Sequence, residues 1–488
     1  MATVGYTRDG RCTNLRVAVG VLAVAVSACA SVPGPGASSP EAKAALVKQR
    51  AEARWAATLA GDNIAAYGYL SPASKSLMSL EQYILKAPRH IRSASVTGVE
   101  CGADSCKVAL ELKYDAQMVK GVVTPHFETW VLDNGQFRIS ALRGGGHLAE
   151  IRLVSDDSRK SLNPMRIPHY PTIDPNTYDP AKHDAIYGDD PHRWLSSGYM
   201  GHLLCFPIYG PPSADEARAG LGNHGEAPIV EWKEIGVERQ PNAITLRYGA
   251  DLPKTQFRVE RAITLRAGDR FARVEEWVEN LANFDRPVNW MQHATFGPPF
   301  VEPGKTIMDV SAHRGLVTRG RPESASLKLD SPVEWPNGTS IDGAPVDLRR
   351  FQQREHAGTY VALLLDTNRP TQFFTMRHSE YRFLIGYAFP AAGNPWIADW
   401  QENRSNRQRP WNGQVIARGV EWGSSPFAEG LRNSVERGQL FGAPTYRWIG
   451  GRQRLKTEFV VFVVEIPDGF PGVRDVTLDH GAPVIVPR

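Results

Sequence analysis

Apolar residues along the chain follow two different rhythms. Over residues 41–60, rich in Ala, Lys, Arg and Glu, they recur at helical spacing, with Leu46, Trp55 and Leu59 available for one face, and the pattern stops at Gly61. Asp62 is placed to cap a second helix carrying Ile64, Tyr67 and Leu70, and residues 79–86 predict a third. Alternation then takes over in four runs, 94–100, 107–114, 122–132 and 136–140, the last two joined by the hairpin signal Asp133-Asn134-Gly135. Gly144-Gly145-Gly146 marks a boundary, and a strand over 147–151 follows. From Ile229 onward, strand-like runs and turn residues succeed one another: 243–248, 256–265, 271–280, 288–296, 359–366, 372–376, 381–389, 396–401, 414–421 and 457–465. Helical periodicity is scarce there, and no strand–helix alternation appears. The pattern predicts a mainly β fold, a large antiparallel β-sandwich over 144–488 preceded by a small α+β domain with a curved sheet over 41–142.

Composition narrows this reading. With 488 residues, 42% hydrophobic and 22% charged, the chain is globular and too long for one ordinary core. The 44 glycines and 36 prolines suit many turns between short strands. The 56 basic and 52 acidic residues are interspersed and leave a net charge of +4, which argues against a nucleic-acid surface and favours a neutral small molecule as partner. Residues 163–190, dense in Pro, Gly and aromatics, predict a long ordered loop, a common setting for function.

The first residues read as a leader. Arg8, Arg11 and Arg16 precede an apolar run, 17–28, too short to span a bilayer as a helix. Val26-Ser27-Ala28-Cys29 resembles the lipobox of bacterial lipoproteins, which implies cleavage of 1–28 and a lipid anchor on Cys29; a plain signal peptide is the alternative. Residues 29–40 then form a flexible tether. In a host with an outer membrane, the absence of aspartate after Cys29 (Ala30-Ser31) implies, by the same resemblance, a cell-envelope protein at the outer membrane, facing the periplasm. Cys101 and Cys106 flank a four-residue turn and could pair as a disulfide in an oxidising compartment, or remain two thiols. Cys205 reads as a buried thiol. No metal-ligand spacing, phosphate loop or nucleophile elbow is present, so neither a metal nor a cofactor is expected.

The chemistry concentrates in three stretches. His293 sits inside a strand-like run, Asn289 to Phe296, that ends at Gly297-Pro298-Pro299, an odd place for a titratable ring. His224 lies in Gly222-Asn223-His224-Gly225, and Glu421 in Arg418-Gly419-Val420-Glu421. Each has a structural alternative: a buried histidine satisfied by a neighbour, a turn histidine, and a strand-end carboxylate paired with Arg418. Together, His224-Gly225, His293-Ala294-Thr295-Phe296 and Gly419-Val420-Glu421 resemble, in order, the motifs of the aldose 1-epimerase (galactose mutarotase-like) family, over about 144–488. The resemblance implies a supersandwich fold and interconversion of the anomers of a free sugar, with Glu421 as base and His293 as acid. His224 would bind the substrate, with His147, Gln292, Trp400 and Glu402 as further contacts, Glu402 also being the reserve base. Trp411 and Trp422 join Trp400 as rings that could stack on a sugar. One departure from the family pattern is Glu226-Ala227-Pro228, which replaces an aromatic and an arginine after His-Gly. The helix-then-sheet order of 41–142, with its Ala60-Gly61-Asp62 break, resembles the nuclear transport factor 2-like (SnoaL-like) fold, to which no catalysis is assigned. A binding lipoprotein with the same sandwich but no turnover is the second functional class.

Overall fold

The computed structural model describes residues 2–4, 40–70, 80–87, 90–102, 105–115, 120–131, 137–154, 161–190, 192–240, 242–266, 269–318, 322–366 and 368–488. Residues 5–28 of the leader, Cys29 with the tether as far as residue 39, and the Asp133-Asn134-Gly135 turn lie outside these residues. The chain forms two compact units, one of residues 3–135 and the other of residues 136–488 with 1–2.

In the smaller unit, the helix Pro40–Leu59 packs on an antiparallel sheet of Ile91–Cys101, Ser105–Tyr114 and Val122–Val131. Ala51 and Trp55 of the helix meet Val108, Leu110 and Leu112 of the sheet, whereas Leu59 is exposed. Asp62 caps the Asn63–Gly68 helix by accepting the Ala65 N–H at 2.9 Å. Cys101 and Cys106 occupy paired positions at the hairpin end and are joined as a disulfide. Glu128 accepts the indole N–H groups of Trp55 and Trp130, each at 2.9 Å, and pairs with Arg54, so that strand face holds the helix down.

The larger unit is a sandwich of two antiparallel sheets. One runs in the order Phe137–Ala141, Leu148–Leu153, His202–Cys205, Met291–Phe296, Ile416–Gly423, Trp396–Asn403, Ala357–Leu365, Ala312–Val317, and on into three short strands. The other has eight strands, ordered Thr306–Val310, Thr371–His378, Phe383–Pro390, Arg454–Glu465, Phe271–Asn280, Phe257–Arg266, Ala243–Leu252 and Lys233–Gln240. Side chains alternate across each strand, so one face of the first sheet closes the core against the second. Trp422 stands at the centre of this layer, with its ring 5.0 Å from that of Phe389 and 5.1 Å from that of Tyr387. The buried ion pair of Arg261 and Glu276 lies within the sandwich, where Glu276 also accepts from Trp290 and Gln292.

The run at 136–140 changes sides. It was expected to be the last strand of the small domain, but Phe137–Ala141 is wholly buried and pairs with Leu148–Leu153 of the large sheet. The boundary therefore falls before it, not at the glycines 144–146. Residues 163–190 also carry a helix, Pro180–Tyr187, capped by Asp179 through the Ala181 N–H.

Candidate active site

The site lies on the face of the first sheet that points away from the second sheet. Strand alternation decides which residues appear there. Along Met291–Phe296, His293 and Thr295 face outward while Gln292, Ala294 and Phe296 face the core. Along Ile416–Gly423, Gly419 and Glu421 face outward while Val420 and Trp422 face the core. The two strands are hydrogen-bonded neighbours in a register that sets His293 directly opposite Glu421. Their side chains meet, His293 Nε2 lying 3.2 Å from Glu421 Oε1. Trp400 comes from the next strand, where it pairs with Gly419, and Tyr360 from the one beyond, where it pairs with Trp400.

Gly419 makes this crowding possible. A Cβ there would stand 2.7 Å from Trp400 Cε3 and 3.0 Å from both Glu421 Oε1 and His293 Cε1. The glycine that precedes the carboxylate by two residues thus occupies the centre of the constellation, and only a hydrogen fits.

Hydroxyls order the pair. Thr295 Oγ1 lies 3.0 Å from His293 Nδ1, and Tyr199 OH bridges Thr295 Oγ1 at 2.7 Å and His293 Nε2 at 3.3 Å. Tyr209 OH donates to Glu421 Oε2 and lies 2.5 Å from Tyr360 OH. The Arg166 guanidinium is buried between the rings of Tyr199 and Trp411, at 4.6 and 5.0 Å from their centroids, and holds the Tyr199 carbonyl at 2.5 Å. His224 approaches from a turn. Its φ of 65° is left-handed, as is that of Gly225 at 89°, where a Cβ would lie 2.4 Å from Phe206 O. Backbone bonds to Gly210 and Phe206 hold this turn. The Gly210 N–H donates to His224 Nδ1 at 3.3 Å, which leaves the ring proton on Nε2, and the ring centroid is 5.3 Å from that of His293.

Burial sets the protonation states. It drives the Glu421 carboxyl up to about 8, an effect that the Tyr209 hydroxyl opposes and the Asp399 charge augments. Burial drives His293 well below the usual histidine range, helped by His224, His202 and Arg166, and brings His224 down to about 3. At neutral pH the pair is therefore uncharged, with one proton between a carboxyl and an imidazole. A cavity of about 330 Å³ opens over them, lined also by Tyr199, His224, Trp400 and Trp411. Among the described residues, no group of three His, Cys, Asp or Glu side chains is placed to hold a metal ion.

His293, Glu421, His224 and Trp400 thus meet at one cavity, and Trp411 joins them. Other sequence candidates lie elsewhere. His147 is wholly buried with its ring nitrogens 3.1 Å from the carbonyls of Gly198 and Pro228. Gln292 faces the core, bonded to Glu276 at 2.6 Å and His202 at 2.9 Å. Trp422 is core packing. Glu402 lines a neighbouring cleft and pins the following loop through Ser405 Oγ at 2.7 Å and the Asn406 N–H at 2.9 Å. Sequence reasoning missed Tyr199, Tyr209, Tyr360, Arg166 and Thr295. Thr295 was within reach, since alternation places it on the His293 face, and Tyr360 lies in the strand-like run 359–366; Tyr199, Tyr209 and Arg166 come from segments with no periodic signal.

No protein-family model matches the chain, and no curated protein does. Among solved structures it is similar to a candidate aldose 1-epimerase from Klebsiella pneumoniae, with TM-score 0.47 and 13% identity over 74% of this chain and 85% of that one. A galactose mutarotase-like protein from Clostridium acetobutylicum gives TM-score 0.45 and 12% identity over 78% of this chain and 100% of that one. A galactose mutarotase related enzyme from Lactobacillus acidophilus gives 0.42 and 11% over 70% and 98%. The chemistry assigned below rests on the residues of this chain.

Proposed function

We propose that the protein is a carbohydrate-active enzyme of the aldose 1-epimerase type, anchored in the cell envelope through Cys29, that interconverts the anomers of a sugar by acid/base ring opening. The observation that carries this reading is the 3.2 Å contact between His293 Nε2 and Glu421 Oε1 beneath a cavity. Ring opening needs one group to take the anomeric hydroxyl proton and another to protonate the ring oxygen, and closure needs the reverse. A carboxyl and an imidazole sharing one proton supply both. In the tautomer with the proton on His293, Glu421 is the base and His293 the acid; in the other tautomer the roles exchange. Both tautomers carry the same net charge, and the 3.2 Å contact lets one become the other. Thr295 and Tyr199 fix the imidazole, Tyr209 fixes the carboxyl, and the Nε2–H of His224, which lines the cavity, serves as a donor to a sugar hydroxyl. Trp400 and Trp411 offer ring faces for the apolar side of a pyranose.

Polarimetric mutarotation assays over a panel of free aldoses test the reading. Acceleration by the wild-type protein is expected, with a loss of at least ~10²-fold in His293→Asn, the usual scale for a positioned acid or base. A wild-type protein that binds a sugar without speeding anomer exchange is instead a binding module.

A further inference from the structure

Next to the His293–Glu421 cavity, the outward face of the same sheet continues into a larger cleft of about 690 Å³. The two spaces share Tyr360, Trp400, Asn406 and Ala428 as walls, so they adjoin. The floor is continuous as well. Glu421, Trp400, Tyr360 and Leu316 lie on four successive strands of the sheet. At about 4.8 Å per strand, the floor extends about 14 Å beyond Glu421, longer than one pyranose ring. The cleft mixes ring faces with polar groups: Trp400 and Phe427 beside Asp330, Ser405 and Arg437. Arg437 is itself bound to Glu429 through two contacts of 2.8 Å, so this pair cancels, and the carboxylates of Asp330 and Glu402 add hydrogen-bond acceptors to the lining. Apolar faces edged by polar groups match the chemistry of neutral sugars, whose rings have apolar faces bordered by hydroxyls.

We propose that this cleft is a carbohydrate subsite and that the cavity receives the reducing end of a neutral oligosaccharide, whose next units lie along the cleft over Trp400, Tyr360 and Leu316. The inference rests on the sugar-ring-opening reading of the cavity, but its test reads binding separately from turnover. The probes are glucose, galactose, mannose and xylose with their linear oligomers up to tetramers. Binding is measured by calorimetry and anomer exchange by NMR on the same samples. For at least one series the tetramer is expected to bind at least about tenfold more tightly than its monomer, equivalent to about 1.4 kcal/mol. Leu316→Trp, which fills the cleft floor, and Arg437→Ala, which alters its rim, are expected to abolish that gain while leaving monosaccharide parameters unchanged. The second variant serves if the first does not fold. Length-dependent binding without anomer exchange upholds the subsite and removes the enzymatic reading. Anomer exchange that is equal for monomer and tetramer, and unaffected by the cleft variants, overturns the subsite and keeps the enzyme. Absence of length dependence in every series overturns the subsite whatever the activity.

Discussion

Arg418 is bound to Asp399, not to Glu421. Its Nε and Nη2 reach the two carboxylate oxygens at 2.8 and 2.9 Å, fully buried on the core side of the sheet, and its remaining donors hold the carbonyls of Leu348 and Arg349. Alternation sends Arg418 and Glu421 to opposite faces of their strand. The cation nearest in sequence to Glu421 is thereby consumed elsewhere, and the Glu421 carboxyl is buried against His293 and Tyr209, neither of them charged at neutral pH. A structural ion pair with Arg418 is thus excluded as the explanation for Glu421.

This burial has a thermodynamic sign. The folded-state pKa of Glu421, about 8, lies above its usual value of 4.5, so the folded protein holds the proton more tightly than the unfolded chain. That contribution is complete below about 4.5 and is lost as pH rises toward about 8. Glu421→Gln keeps the shape of the protonated acid and cannot ionise. We expect the variant to gain stability relative to wild type between about pH 5 and pH 8, by up to about 4 kcal/mol, while losing activity. Denaturant melts of both proteins at the two pH values check this. A stability difference that does not grow with pH would falsify the buried-acid assignment.

Gly419→Ala tests the packing of the constellation. The added methyl meets the Trp400 ring, the Glu421 carboxyl and the His293 ring at once, and the first contact, at 2.7 Å, requires something to move. Overpacking of this kind costs about 1–3 kcal/mol. Displacement of the acid–base pair should lower turnover by at least ~10²-fold, an effect the stability loss does not account for in protein that is still folded at assay temperature. Wild-type turnover in Gly419→Ala would show that the close approach has no functional role.

The extent to which the sequence announced this arrangement differs by element. Strands with one buried face advertise themselves by alternation, and Phe271–Asn280 coincides with the run read from the sequence. The His293 strand was equally legible, because its run ends sharply at Gly297-Pro298-Pro299 and carries a titratable ring between Trp290 and Phe296. Its pairing with Glu421 was not, since register between strands distant in sequence is set by tertiary packing. His147 and Gln292 were misplaced for a related reason. A buried polar residue signals a partner without saying whether that partner is a ligand, a carbonyl or a second core side chain. Tyr199, Tyr209 and Arg166 belong to connecting segments, where no periodicity marks the face they present. The strand at 137–141 was assigned to the wrong unit because the hairpin signal before it suggested a local partner, whereas burial on both faces favoured the large sheet.

The proposed envelope anchoring rests on Val26-Ser27-Ala28-Cys29 behind a basic and apolar leader. Cys29→Ser should remove the lipid acceptor and release the protein from the membrane fraction, because a chain without its lipid has only its protein surface to hold it there. Fractionation of wild type and variant, with mass spectrometry of the mature N-terminus, decides the point. A variant that still sediments with membranes counts against lipidation.

The pH dependence of turnover is the most direct readout of the shared proton. The pair works with one proton between Glu421 and His293 and fails when that proton is lost, because nothing then protonates the ring oxygen. With Glu421 near 8, kcat should fall as pH rises through about 8. The Tyr209 hydroxyl, by donating to the carboxyl, favours its ionised form and lowers that value. Tyr209→Phe removes the donor and leaves the ring, so Glu421 should hold its proton more tightly and the alkaline limb should move to higher pH. Tyr360→Phe should change the limb less, since the hydroxyl of Tyr360 bonds to that of Tyr209, not to the carboxyl. The measurement is a kcat–pH profile for wild type and both variants on the best substrate found in the mutarotation panel. A limb that stays in place in Tyr209→Phe, or moves to lower pH, would show that a group other than Glu421 controls it.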